Sequence, residues 1–207
     1  MNSMFRILVV LFMLHTFLSA DDFDEAVKAD NEGDYVKAAQ LYGKACDKGN
    51  GEACFNLGTM YDFGDGLEQD YVKAAELYKK ACNKNSMDGC YNLAILYEDG
   101  SGVKQNYTKA AKLYETVCNK DQYGMDACYN LALLYEDGSG VKQDYVKAAK
   151  LYKNSCDKDD GDSCNNLGVL YEDGNGVKKS ITKSIQYYQK ACDLETDIGC
   201  ENYERLK

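Results

Sequence analysis

The chain has 207 residues, of which 45% are apolar and 28% charged, and a net charge of −10. That apolar share is enough to bury a core and excludes a disordered chain. The negative balance excludes nucleic acid as a partner, because a phosphate backbone would be repelled.

Residues 1–20 read as a signal peptide. Arg6 is the only charge before Asp21, Ile7 to Leu18 are nearly all apolar, and Leu18-Ser19-Ala20 offers a small residue at the cut. The apolar run falls short of the roughly 20 residues that a spanning helix needs. The expectation is a secreted or periplasmic chain with no membrane span after cleavage. In such an oxidising compartment an even set of ten cysteines reads as a disulfide framework.

Residues 21–207 carry one repeating pattern. Cys46, Cys82, Cys118, Cys156 and Cys192 recur at steps of 36 residues, with one step of 38, and Cys54, Cys90, Cys128, Cys164 and Cys200 follow them in turn. A period in this range marks a two-helix repeat. The elements expected are a short helix pair over 21–48, full repeats at about 51–84, 87–120, 125–158 and 161–194, and a half repeat over 197–207. Polar ends of this kind suit the caps of a repeat array.

Within a repeat the spacing is helical. Cys54, Leu57, Gly58 and Tyr61 form the stripe of a first helix, and Tyr71, Ala74, Ala75, Tyr78, Ala81 and Cys82 that of a second. Gly64, Gly100, Gly138 and Gly174 stand where the first helix should end left-handed; Asp70, Asn106, Asp144 and Ser180 stand where the second needs a cap. Paired cysteines eight or ten residues apart could not meet along one helix, where about 12 Å of rise would separate them, so the chain must turn between them. The pairing expected is Cys46–Cys54, Cys82–Cys90, Cys118–Cys128, Cys156–Cys164 and Cys192–Cys200, each bridge joining a second helix to the next first helix. The fold class expected is all-α, a right-handed α/α solenoid with a disulfide at each repeat junction.

The chemistry on offer is narrow. His15 is the only histidine and leaves with the signal peptide, which removes a Ser-His-Asp triad or a His-based zinc site from the mature chain. Ser101-Gly-Val-Lys104, Ser139-Gly-Val-Lys142 and Ser180-Ile-Thr-Lys183 match Ser-x-x-Lys, but neither Ser-Asp-Asn nor Lys-Thr-Gly accompanies them. Turn and cap roles explain these serines. The acidic loop at Glu136-Asp137-Gly138 lacks the ligand spacing of a calcium loop and reads as a helix end. No metal and no cofactor is expected, no catalytic residue can be assigned, and Asn106-Tyr107-Thr108 is a formal glycosylation sequon.

A binding feature is plainer. Asn56, Asn92, Asn130, Asn166 and Asn202 recur two residues after each second cysteine, about 160° around the helix from the cysteine stripe. They either form a ladder of amides for an extended peptide or tether a backbone group of the neighbouring repeat. The recurring Lys73, Lys109, Lys147 and Lys183 read as a solvated face, and Tyr61, Tyr97, Tyr135 and Tyr171 as core residues with their hydroxyls at the edge.

The segments Asn92-Leu93-Ala94-Ile95-Leu96-Tyr97-Glu98-Asp99-Gly100-Ser101-Gly102-Val103 and Ala148-Ala149-Lys150-Leu151-Tyr152 resemble the Sel-like repeat, a relative of the tetratricopeptide repeat. The cysteine spacing at every junction resembles, more narrowly, the Helicobacter cysteine-rich protein family. That resemblance implies a protein that binds peptide-like ligands, penicillin-type β-lactams or peptidoglycan fragments, with weak β-lactam hydrolysis. The wider repeat superfamily implies instead a non-catalytic scaffold for other proteins, in the envelope or acting on host cells.

Overall fold

The computed structural model describes residues 22–120 and 124–207. The signal peptide expected over 1–20 lies outside the described residues. All regular structure among the described residues is helical and falls into two compact units, the first ending at Gln105 and the second starting at Asn106.

The first unit contains α1 (22–31), α2 (Tyr35–Asp47), α3 (Gly51–Phe63), α4 (Tyr71–Asn83) and α5 (Met87–Asp99). Consecutive helices from α2 onward pack on each other, and α3 also touches α5. The second unit contains α6 (Tyr107–Cys118), α7 (Gly124–Asp137), α8 (Tyr145–Cys156), α9 (Gly161–Asp173), α10 (Ile181–Asp193) and α11 (Asp197–Leu206). Here too neighbours in sequence are neighbours in space, and α9 touches α11. First helices of adjacent repeats therefore stack, as in an α/α solenoid.

Helix boundaries follow the sequence signals. The carboxylate of Asp70 accepts from the Val72 and Lys73 amides at 3.1 and 3.0 Å, and Asn106, Asp144 and Ser180 each accept from the amide three residues on. Gly64, Gly100, Gly138 and Gly174 end α3, α5, α7 and α9 with φ between 76° and 83°. The second glycine of each loop has another task. At Gly66, Gly102, Gly140 and Gly176 the loop lies against the backbone at the start of the previous repeat's second helix, at Tyr35, Tyr71, Tyr107 and Tyr145, so closely that a Cβ would overlap it.

The core is thin and made of small residues around one large one. Ala74, Ala75 and Ala81 are buried beside Tyr78, and the same columns bury Ala148 and Ala149 beside Tyr152. Alanine lets helix axes approach closely, and the tyrosine ring fills the space that remains. On α3, Gly58 makes room for that ring: a Cβ there would lie 2.8 Å from Tyr78 Cδ1. Two details depart from the expected stripes. Met60, Leu96, Leu134 and Leu170 are buried, forming a column the spacing did not single out. Tyr71 is 40% exposed, because it is the first residue of α4 and its hydroxyl is held outward by Gln69 Nε2 at 3.0 Å.

A disulfide closes each turn between one repeat's second helix and the next repeat's first. The Cα atoms lie 4.6 Å apart in Cys46–Cys54, 4.5 Å in Cys82–Cys90, 4.8 Å in Cys118–Cys128, 4.7 Å in Cys156–Cys164 and 4.4 Å in Cys192–Cys200. No described cysteine is free. Each loop is short, so chain entropy gives each bridge about 2 kcal/mol, useful to a core this narrow. Such bridges persist in an oxidising compartment. No described helix is long and apolar enough to cross a membrane.

Candidate functional site

The buried tyrosine of each second helix organises a polar node. Tyr78 donates its hydroxyl to Asp62 at 2.8 Å, Tyr152 to Glu136 at 2.7 Å and Tyr188 to Glu172 at 2.8 Å, each acid lying sixteen residues earlier on the preceding first helix. Tyr42 does the same with Asp30 at 3.1 Å across the shorter first pair. Burial is the main reason these phenols hold their protons: it pushes Tyr42 and Tyr188 up to about 12, and Tyr78 and Tyr152 upward as well. They are proton donors at neutral pH, not bases.

The recurring asparagines meet these nodes from the next repeat. Asn56 lies close enough to the Tyr42 hydroxyl to oppose its upward shift, Asn92 does the same at Tyr78, and Asn166 at Tyr129 and Tyr152. All five asparagines, Asn130 and Asn202 included, are half-buried on the first helices. At three of them the group nearby is a tyrosine hydroxyl of the preceding repeat. At the end of the second unit the amides also pair among themselves: Asn165 donates to Asn166 at 3.3 Å and Asn202 to Asn165 at 2.9 Å.

The carboxylates are the members of the node that sequence reasoning passed over. Glu136 entered it only as a rejected calcium ligand, although an acid sixteen residues before the buried tyrosine of each full repeat is a visible repeat signal. Their surroundings differ from repeat to repeat. Glu172 receives a two-pronged guanidinium from Arg205, at 2.8 and 2.7 Å, and Arg205 also reaches Asn202 at 3.2 Å. That hydrogen-bonded guanidinium holds the Glu172 carboxyl below the usual range. Asp62, in the first unit, and Glu136 occupy the same column and have no ion-pair partner among the described residues.

The remaining candidates have structural roles. The Ser139 amide returns to the Leu134 carbonyl in the helix-ending turn, and Ser180 caps α10. Asn106, in the sequon, spends its side-chain oxygen capping α6. Lys73, Lys147 and Lys183 are exposed, each with its ammonium 4.6–4.9 Å from the ring centre of Tyr61, Tyr135 or Tyr171. Those tyrosines are half-buried rather than core. Among the described residues no group of three or more His, Cys, Asp or Glu could hold a metal.

The repeat is shared with known proteins. The Sel1 repeat matches residues 30–50, 51–86, 88–121, 126–160 and 161–195, which is most of the chain. The chain belongs to the Sel1 repeat family. Helicobacter pylori cysteine rich protein B, a Sel1-repeat relative, is 32% identical, with a TM-score of 0.50, over 67% of this chain and 98% of its own. The chain is thus similar to the Helicobacter cysteine-rich members of the family. HcpD of Helicobacter pylori, a protein with a provisional beta-lactamase name, is 40% identical in one strain and 43% in another, over 47 residues. That match spans only 23% of this chain and 15% of HcpD. In fold, the chain is similar to c5321, described as a protective antigen of uropathogenic Escherichia coli strains, with a TM-score of 0.85 at 24% identity, covering 91% of this chain and 41% of c5321.

Proposed function

We propose that this Sel1-repeat chain is an exported recognition module whose first helices bind a peptide-like segment bearing a cationic group. One observation carries the reading: Arg205 docks bidentately on Glu172, while Asp62 and Glu136 hold the same place on their own tyrosines with no cation opposite. The carboxylate is oriented by its tyrosine, and a second repeat's asparagine stands beside it, so a guanidinium or ammonium could meet a preset acceptor and an amide. The net charge of −10 would draw such a ligand in. The five bridges fit a periplasmic or secreted setting, and the cleaved leader over 1–20 belongs to the same proposal.

Calorimetric titration with a ten-residue peptide of alternating Arg and Ser, against its Glu/Ser counterpart, tests this. Binding of the basic peptide is expected to weaken at least tenfold in an Asp62→Asn/Glu136→Gln double variant. Equal affinity for both peptides, or an unaffected variant, overturns the reading and leaves the non-catalytic scaffold for folded partners.

A β-lactam ligand, with weak hydrolysis, is a second reading. Its support is the 47-residue likeness to HcpD. A β-lactam mimics a peptide terminus, so the same face could receive it. Turnover of a chromogenic β-lactam well above buffer, and lost in an Asn92→Ala/Asn130→Ala variant, would establish it; no turnover would remove it.

A further inference from the structure

The second unit holds a cleft that belongs to neither the asparagine row nor the carboxylate nodes. It encloses about 210 Å³ between α6, α7 and α8, with Leu131, Leu151 and Tyr135 as its apolar wall and Lys147, Lys150 and Glu115 among its lining. The neighbouring repeat shows what this space accepts. There Tyr187 stands in the column of Leu151, and its ring stacks on Tyr171 with centroids 5.5 Å apart and planes inclined by 11°. Tyr187 also packs against Cys156, Cys164 and Ala191. Tyr171 thus has an ammonium, from Lys183 at 4.9 Å, and a stacked ring. Tyr135, one repeat earlier, has the matching ammonium from Lys147 at 4.6 Å, but leucine replaces the ring.

We infer that the α6–α7–α8 cleft is a binding site for a small aromatic carboxylate, whose ring stacks on Tyr135 as Tyr187 stacks on Tyr171. The charge around it favours an anion over a neutral ring. Lys147 and Lys150 lie one turn apart on α8, Glu115 is the single acid of the lining, and the column of Lys150 holds Gln186 in the repeat that supplies its own ring. A cationic lining in a chain of net charge −10 is a local reversal of sign. The ring gains dispersion and stacking against Tyr135, and the carboxylate gains the ammonium of Lys150.

The neighbouring repeat also supplies the variants. Leu151→Tyr installs the ring that α10 already accommodates, and Lys150→Gln installs its partner residue. The test is 1H–15N spectroscopy of the oxidised chain titrated with phenylacetate, phenylacetamide and cyclohexylacetate, beside thermal melts of each variant. Phenylacetate should give saturable shifts at the Leu131, Tyr135 and Leu151 amides with a Kd on the order of 1 mM. The uncharged and the non-aromatic analogues should bind several-fold more weakly, Lys150→Gln should weaken phenylacetate several-fold, and Leu151→Tyr should abolish its shifts with the melt unchanged. Absent shifts, equal shifts with all three probes, or shifts that persist in Leu151→Tyr would overturn the assignment. Should Leu151→Tyr fail to fold, Lys150→Gln decides alone.

Discussion

Tyr152 donates its hydroxyl to Glu136 Oε2 at 2.7 Å, from the second helix of one repeat to the first. The ring is fully buried, and the acceptor is a half-buried carboxylate. Tyr152→Phe keeps the packing and removes the donor, so it should cost about 1.5 kcal/mol, the lower end of the range for bonds to charged acceptors. Tyr135→Phe removes a hydroxyl that receives a bond from the exposed Lys147 at 3.3 Å, and should cost less than about 0.5 kcal/mol. Urea midpoints of the two variants, compared at equal slope, measure the contrast.

Much of this was legible in the sequence because a repeat is read several times over. The cysteine step, the helix-ending glycines and the Asp70, Asn106, Asp144 and Ser180 caps recur at fixed offsets, and each is a local interaction within a few residues. The node was not legible, since its bond spans sixteen residues within a repeat and an asparagine of the next repeat comes near it. A helical wheel of one helix placed Asn92 away from the cysteine stripe, but could not say that the hydroxyl of Tyr78 would be waiting there. Arg205 was equally hidden: on α11 it stands in the column of Leu133 on α7, and only its meeting with Glu172 gives it a role.

The Glu172–Arg205 pair makes stability depend on pH in a defined direction. The carboxyl of Glu172 is held below its ordinary value, so as pH falls the unfolded chain takes up this proton first. The pair's contribution is therefore complete above the ordinary Glu range, around pH 4.3, and lost as pH falls through the lower folded value. Arg205 is half-exposed, so solvent screening keeps the effect small. Arg205→Met should lower the urea midpoint at pH 7 and match the wild type near pH 3; a deficit that persisted at pH 3 would mean lost packing instead.

Backbone geometry gives a pair of opposite expectations. Gly102 has φ 67°, and a Cβ there would overlap the Tyr71 carbonyl, so Gly102→Ala meets both an unfavourable conformation and backbone that cannot step aside. It should cost more than about 2 kcal/mol. Glu195 sits at φ 61° in the turn between α10 and α11, where the corresponding turn between α2 and α3 has Gly49 at φ 94°. Glu195→Gly should raise stability by about 1 kcal/mol, because the left-handed penalty of a side chain is removed. Thermal melts of the two variants should move apart, and movement in the same direction would refute the account.

The hydroxyl of Ser163 gives the last expectation. It is fully buried at the start of α9 and has no hydrogen-bond partner, while Ala53 and Ala127 fill the same column in other repeats with no such group. An unpaired buried hydroxyl costs about 1 kcal/mol or more in lost hydration, and alanine fits the space that the backbone already provides. The amide of Ser163 is separate from this deficit, since it donates to Asp160 at 3.3 Å and would go on doing so in the variant. Ser163→Ala is therefore expected to stabilise the chain by about 1 kcal/mol, read as a raised urea midpoint. A lowered midpoint would mean that the hydroxyl makes a bond in solution, and a crystal structure of the wild type would then show a water or a carbonyl within 3.2 Å of Oγ.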